Sequence, residues 1–122
     1  MDSRMCVQAG RVALGAFAVT VLTAGLAMAG QDAAKAKQGE AVYAAQKCSM
    51  CHSIAGKGNA KGPLDEVGTK LTAAEIREWI VNPKEMTAKT KAERKPPMKA
   101  YPNLPAADVD ALVAYMQTLK KT

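Results

Sequence analysis

Two stretches of the chain carry apolar residues at helical spacing, whereas no stretch alternates with the two-residue period of a strand. The first opens with Thr72 and Glu75, the two partners of a capping box, and Pro83 marks its end. The second runs from about residue 106 to residue 120 and has one apolar face, formed by Val109, Leu112, Val113, Met116 and Leu119. A weaker helix is predicted over residues 39–47. The pattern therefore predicts an all-α protein.

The stretches between these helices are predicted to be loops. Residues 53–68 contain four glycines and Pro63. Residues 84–99 are rich in lysine and lack a clear apolar period, so at most one short helical turn is expected there. Before the last helix, Leu104 is the expected N-cap and Pro105 the first helical residue.

The first 29 residues follow a different pattern. A weakly basic start precedes 18 uncharged residues, Val12 to Ala29, which end on the small-residue motif Ala27-Met28-Ala29 that a signal peptidase reads. Residues 1–29 are therefore expected to be a signal peptide, with a retained membrane anchor as the alternative. In either case the protein is predicted to be periplasmic or otherwise exported. Residues 30–36 would form a flexible lead-in and residues 37–122 the folded domain.

Without residues 1–29, the chain has few side chains with which to build a core. Its remaining aromatic residues are Tyr43, Trp79, Tyr101 and Tyr115. A domain of this size forms only a marginal core from its side chains alone. We expect Trp79 to belong to that core, and we expect a large, flat, apolar group to occupy the remaining volume.

The motif Cys48-Ser49-Met50-Cys51-His52 indicates what that group is. Cys6 lies in the expected signal peptide, which leaves Cys48 and Cys51, and His52 is the only histidine. The two thiols can each add to one vinyl group of a haem, and the adjacent imidazole can then bind the iron. Together with an export signal, this spacing predicts covalent haem attachment.

The motif has three other interpretations. A structural zinc site needs four ligands, and a fourth nitrogen or sulfur donor is missing. A thioredoxin-like redox pair would require a βαβ context, of which the sequence has no sign. A simple disulfide is chemically allowed in an oxidising compartment, but it would leave His52 and the thin core unexplained.

The second axial ligand of the iron has to come from a residue other than histidine, and methionine is the natural candidate. Met50 lies too close to His52 to reach the opposite face of a haem, and Met116 belongs to the apolar face of the last helix. Met86 and Met98 remain. Met98 follows two prolines, which hold a loop in one conformation at low entropic cost. The sequence therefore favours Met98 over Met86 as the second ligand.

Taken together, these features resemble the class I, mitochondrial-type, family of c-type cytochromes over residues 37–121. Five ordered pieces carry the resemblance: Gly39 with Tyr43, Cys48 to His52, Gly62-Pro63-Leu64, Pro97-Met98-Lys99-Ala100-Tyr101, and Leu112-Val113-Ala114-Tyr115-Met116. The resemblance implies a small cytochrome c fold in which three to four helices surround one covalently bound haem c.

The resemblance also implies a role for individual residues. Cys48 and Cys51 would form the thioethers, and His52 and Met98 would be the axial ligands of the iron. The carbonyl group of Pro63 would accept a hydrogen bond from the His52 ring and so fix its orientation.

Two further implications concern the helices and the function. Gly39 and Tyr43 would meet the face of the last helix that carries Tyr115, at a close crossing. The function would be that of a monohaem electron carrier, which is not an enzyme. The alternative is a fixed cytochrome subunit, or a haem sensor in which a small ligand displaces the methionine.

The net charge indicates the kind of partner. The whole chain carries +6, of which residues 1–29 contribute +1 through Asp2, Arg4 and Arg11, leaving +5. If the basic loops border the haem, their charge would favour a redox donor and acceptor with acidic docking surfaces. The alternative is that the charges only keep the loops solvated. No nucleic acid is expected to bind, and a membrane only if residues 12–29 are retained. The basic residues in question are Lys57, Lys61, Lys84, Lys89, Lys91, Arg94, Lys95 and Lys99.

Overall fold

The computed structural model describes the backbone of residues 24–121 and the side chains of residues 30–121. Within this part of the chain there are five α-helices, one short 3₁₀ turn and one two-stranded hairpin. The all-α class is confirmed, with five helices where three to four were expected. The helices are α1 (Ala24–Ala45), α2 (Val67–Lys70), α3 (Ala73–Val81), α4 (Pro83–Thr90) and α5 (Ala106–Thr118), and the strands are β1 (Ser53–Ile54) and β2 (Lys57–Gly58).

The described residues of α1, Ala24–Ala45, start well before the helix predicted from Gly39. Residues 30–36, expected as a flexible lead-in, are therefore helical, and most of their side chains are exposed. Alanine, lysine and glutamine dominate this stretch and favour helix, which explains the additional turns. Residues 1–23, most of the expected signal peptide, lie outside the described residues. Of the described helices, none combines the length and the apolar character needed to cross a bilayer.

Helices α1 and α5 cross closely at Gly39, as the resemblance implied. A Cβ atom at Gly39 would lie 2.7 Å from the Cβ of Tyr115 and would overlap the carbonyl oxygen of Ala111. Beside the crossing, the rings of Tyr43 and Tyr115 meet edge to face, with centroids 6.0 Å apart. Glycine therefore permits an approach of the two helices that a side chain would prevent.

The buried core lies between α1, α3 and α5. The predicted apolar face of α5 is confirmed, although Leu119 is only partly buried. Trp79 is half-buried and does not belong to this core, contrary to expectation. The core consists of Val42, Tyr43, Ile76, Ile80, Val109, Leu112, Val113 and Met116.

The predicted capping box opens α3. The Thr72 hydroxyl accepts a hydrogen bond from the Glu75 N–H at 3.2 Å, and the Glu75 carboxylate accepts one from the Thr72 N–H at 2.8 Å. The bond from the Thr72 backbone stabilises the charged carboxylate and lowers the pKa of Glu75.

The lysine-rich stretch predicted to be a loop contains the two-turn helix α4. Pro83, which was expected only to end α3, occupies the first position of α4, where its missing N–H costs no hydrogen bond. The hydroxyl groups of Thr87 and Thr90 donate to carbonyl oxygens one turn earlier, and Met86 is buried. A helix this short, with little apolar surface, gives too weak a periodic signal to be predicted from the sequence.

Helix α5 begins at Ala106, where the apolar pattern placed its start, and its N-cap is Pro105 instead of the expected Leu104. The carbonyl oxygen of Pro105 accepts hydrogen bonds from the N–H groups of Asp108 and Val109, at 2.9 and 3.0 Å. The N-cap residue has an extended backbone, and its own N–H makes no helical hydrogen bond. A proline, which lacks this N–H, is therefore tolerated there.

Residues 53–68 are mostly loop, as predicted, but they also contain the short β1–β2 hairpin and the start of α2. Ser53 forms an isolated parallel bridge with Pro63. In this bridge the Ser53 N–H donates to the Gly62 carbonyl at 3.0 Å, and the Leu64 N–H donates to the Ser53 carbonyl at 2.9 Å. The bridge holds residues 62–64 beside the segment that contains His52.

Candidate cofactor site

A cavity of about 320 Å³ lies between the end of α1, helices α3 and α5, and residues 92–104. Much of its wall is aliphatic or aromatic and includes Leu64, Ile80, Leu112 and the half-buried Trp79. This space, which the side chains leave open, agrees with the small number of aromatic residues in the sequence. A large, apolar, planar group fits such a lining.

The Cys-x-x-Cys-His segment forms one side of this cavity. After α1, Lys47 turns the backbone with a φ of 55°, and a 3₁₀ turn spans Cys48–Met50. The N–H groups of Cys51 and His52 both donate to the carbonyl oxygen of Cys48, at 3.1 and 2.9 Å. This compact turn brings both cysteines and the histidine to the cavity wall, while Met50 remains 70% exposed.

The imidazole ring of His52 is half-buried, and its Nδ1 lies 3.1 Å from the carbonyl oxygen of Gly62. Pro63, whose carbonyl was the expected partner, does not make this contact and is exposed. The Gly62 carbonyl points toward this segment because it also accepts the Ser53 N–H in the bridge described above. The hydrogen-bond partner of His52 therefore lies in the predicted loop, one residue before the predicted Pro63.

Burial lowers the pKa of His52, and the positive charge of Arg94 adds to this effect, whereas the hydrogen bond to Gly62 opposes it. The ring is consequently neutral at neutral pH. A neutral imidazole whose Nδ1 faces a carbonyl oxygen has the lone pair of Nε2 available for a metal ion.

Both thiols on the cavity wall are free, without a disulfide between them. Burial raises the pKa of the Cys48 thiol, which is therefore protonated at neutral pH. Among residues 30–121, no three histidine, cysteine, aspartate or glutamate side chains are grouped so that they could hold a metal ion. Of these four residue types, two cysteines and one histidine line the cavity.

The methionines differ in their position relative to the cavity. Met98 lines the cavity and is half-buried. Met86 is buried in α4 and is not part of the cavity lining. Met116 reaches the cavity from α5 but is also part of the buried core, as expected.

Two polar contacts at the site were not predicted. The Arg94 guanidinium donates to the carbonyl oxygen of Cys51, and the Tyr43 hydroxyl donates to the carbonyl oxygen of His52 at 3.4 Å. Burial raises the pKa of Tyr43 to about 12, so its hydroxyl remains a donor at neutral pH. The first contact joins residues 43 positions apart, and no local sequence pattern indicates such a pairing.

Only some of the basic residues expected to border the haem lie at the cavity. Arg94 and Lys99 line the cavity, and so does Lys47, which was not predicted. Lys57 and Lys61 are exposed but do not line it. The positive charge at the cavity therefore comes from the end of α1 and from the segment around Met98.

Comparisons with known proteins agree with this geometry. The sequence profile of the Cytochrome c family matches residues 36–120. A cytochrome c oxidase subunit 2 from Alkalihalophilus pseudofirmus is 30% identical over 94 residues, which cover 70% of this chain and 26% of that protein. The chain thus spans about a quarter of that relative's length. No solved structure matches the chain. The chain belongs to the class I c-type cytochrome family, whose members bind haem c covalently and transfer electrons through it.

Proposed function

We propose that this protein is an exported monohaem cytochrome c that carries single electrons between a donor protein and an acceptor protein. Haem-based electron transfer follows from the family. We propose in addition that the protein is a carrier, that His52 and Met98 bind the iron, and that the protein is exported. The observation that supports it best is that Cys48, Cys51, His52 and Met98 all line one cavity.

Cys48 and Cys51 are the proposed attachment residues. Each thiol would add its S–H across one vinyl double bond of haem, with sulfur bonding to one carbon and hydrogen to the other. No leaving group is needed. The 3₁₀ turn at Cys48–Met50 supports this role because it holds both thiols at the same cavity wall.

His52 and Met98 are the proposed axial ligands. The hydrogen bond between Nδ1 of His52 and the Gly62 carbonyl would fix the ring and increase its basicity, leaving Nε2 for the iron. A thioether from Met98 would favour reduced iron and raise the reduction potential. With both positions filled, no coordination site remains for a substrate, which favours a carrier over an enzyme.

Carbon monoxide tests whether protein ligands occupy both axial positions of the iron. The reduced protein is expected to show no rapid spectral change when carbon monoxide is added, because Met98 occupies the position that the gas would take. Absorption spectra before and after addition measure this directly. Rapid, stoichiometric binding of carbon monoxide would contradict ligation by Met98 and would favour a sensor or an enzyme.

A fixed subunit of a larger oxidase is the second candidate. It is favoured by the similarity to a cytochrome c oxidase subunit 2, a protein much longer than this chain. A carrier is expected to be recovered from cells as a free protein. Purification of the haem-containing protein only as part of a membrane complex would instead support the subunit.

We also propose that the positive charge at the cavity attracts an acidic partner. Lys47, Arg94 and Lys99 line the cavity, and further exposed lysines lie nearby in sequence. Charge of this kind accelerates encounter with an oppositely charged partner and is screened by salt.

Oxidation by a small anionic complex, hexacyanoferrate(III), tests the sign of this charge. The rate constant of the reduced protein is expected to fall several-fold between low and physiological ionic strength, because salt screens the attraction. Lys99→Glu is expected to slow the reaction at low salt, whereas Lys121→Glu, an equal change of charge at the C-terminal end of the described residues, is expected to slow it less. Equal effects of the two variants would show that only the net charge matters.

A further inference from the structure

The segment that carries Met98 is weakly attached to the rest of the domain. Residues 93–100 lie outside every helix and strand, and Met98 is the only one of these eight that is not exposed. No N–H or C=O group of residues 93–100 takes part in a backbone–backbone hydrogen bond with a described residue. A segment with so few buried contacts and so few hydrogen bonds opens locally at low free-energy cost.

Arg94 provides the one hydrogen bond that joins these eight residues to another part of the described chain. Its Nη2 donates to the carbonyl oxygen of Cys51, in the turn that precedes His52. Pro96 and Pro97 stiffen the segment itself, but a proline has no N–H with which to attach it to the domain.

Gly62 makes room for this contact. A Cβ atom at Gly62 would lie 2.8 Å from Cζ of Arg94 and would overlap the carbonyl oxygen of Cys51. The guanidinium group therefore lies against the backbone of Gly62, whose own carbonyl oxygen faces the His52 ring. In this way Arg94 contacts both backbone segments that position the histidine.

We propose that Arg94 is a positioning residue that tethers the Met98 segment to the Cys51–His52 turn and thereby keeps the methionine sulfur at the iron. The inference rests on the proposed His52/Met98 ligation. A planar guanidinium with several donors suits this role, because it can hold a fixed orientation over a backbone surface while donating to a carbonyl oxygen.

Imidazole tests the tether, since it competes with Met98 for the oxidised iron and binds only when the methionine moves away. Arg94→Ala is expected to bind imidazole about tenfold more tightly than the unaltered protein, the lower end of the effect of losing a hydrogen bond to a charged group. Arg94→Met, which keeps an apolar stem and lacks the donors, is expected to do the same. The imidazole concentration that halves the iron–sulfur charge-transfer band gives the affinity.

Two variants serve as controls. Glu93→Gln alters the neighbouring side chain of the same segment, and Lys121→Ala removes one positive charge elsewhere; both are expected to bind imidazole like the unaltered protein. If Arg94→Ala is not recovered with haem, Arg94→Met decides the question.

Imidazole affinities of the Arg94 variants equal to those of the controls would overturn the proposal. The same holds if the variants lower only the midpoint of thermal unfolding, because a general loss of stability leaves the competition for the iron unchanged. Failure of the ligation itself is distinguishable from both results. In that case the unaltered protein would lack the charge-transfer band and would bind imidazole as tightly as Met98→Ala.

Discussion

Replacement of Met98 with alanine is expected to abolish the iron–sulfur charge-transfer band of the oxidised protein while the haem stays attached. The band requires a thioether sulfur on ferric iron, and alanine supplies none. The substitution leaves the proposed attachment residues, Cys48 and Cys51, intact. Loss of the sulfur ligand is also expected to lower the reduction potential, because thioether ligation favours the reduced iron. Absorption spectra and a redox titration measure the two effects.

Met86→Leu is the matched control for this substitution. Met86 is 6% exposed in α4 and does not line the cavity, so a replacement of similar volume is expected to leave the band unchanged. Persistence of the band in Met98→Ala, or its loss in Met86→Leu, would assign the iron ligand to a residue other than Met98.

Replacement of Gly39 with alanine is expected to destabilise the fold by about 3 kcal/mol, the upper end of the usual cost of overpacking. The added methyl group would overlap the carbonyl oxygen of Ala111, and backbone cannot rotate away as a side chain can. Helices α1 and α5 would have to separate, which would also disturb the contact between Tyr43 and Tyr115. For a domain of this size the midpoint of thermal unfolding is expected to fall by roughly 15 °C.

Gly30→Ala is the matched control, because it is the same substitution in the same helix. No atom lies within 4 Å of a Cβ built at Gly30. Alanine favours helix over glycine, so the variant is expected to be as stable as the unaltered protein or slightly more stable. If Gly39→Ala proved as mild as Gly30→Ala, the close crossing of α1 and α5 would be wrong.

The sequence predicted the elements whose signals are local and strong. The capping box of Thr72 and Glu75 is confirmed because both partners lie within one turn of the chain. The apolar face of α5 is confirmed because it repeats over three turns. Helix α4 was missed because its buried side chains, Pro83 and Met86, are too few to produce a periodic pattern among polar neighbours.

The same distinction holds at the candidate site. Cys48, Cys51 and His52 lie within five consecutive residues, so their approach to one cavity wall follows from a single turn. Whether His52 bonds to the carbonyl group of Gly62 or of Pro63 depends on the direction in which one peptide unit points. The bridge between Ser53 and Pro63 sets that direction, and no residue pattern in the sequence indicates it. Arg94 was recognised only as a charge, since its contact depends on how two distant segments pack.

The most direct test of covalent haem attachment at Cys48 and Cys51 is the intact mass of the purified protein, which also reports where the N-terminus has been processed. The predicted mass is that of the polypeptide plus one haem, and it should survive denaturation because thioether bonds do not depend on the fold. A variant in which Cys48 and Cys51 are both serine is expected to have the mass of the polypeptide alone. An unaltered protein whose denatured mass lacks the haem would contradict the account.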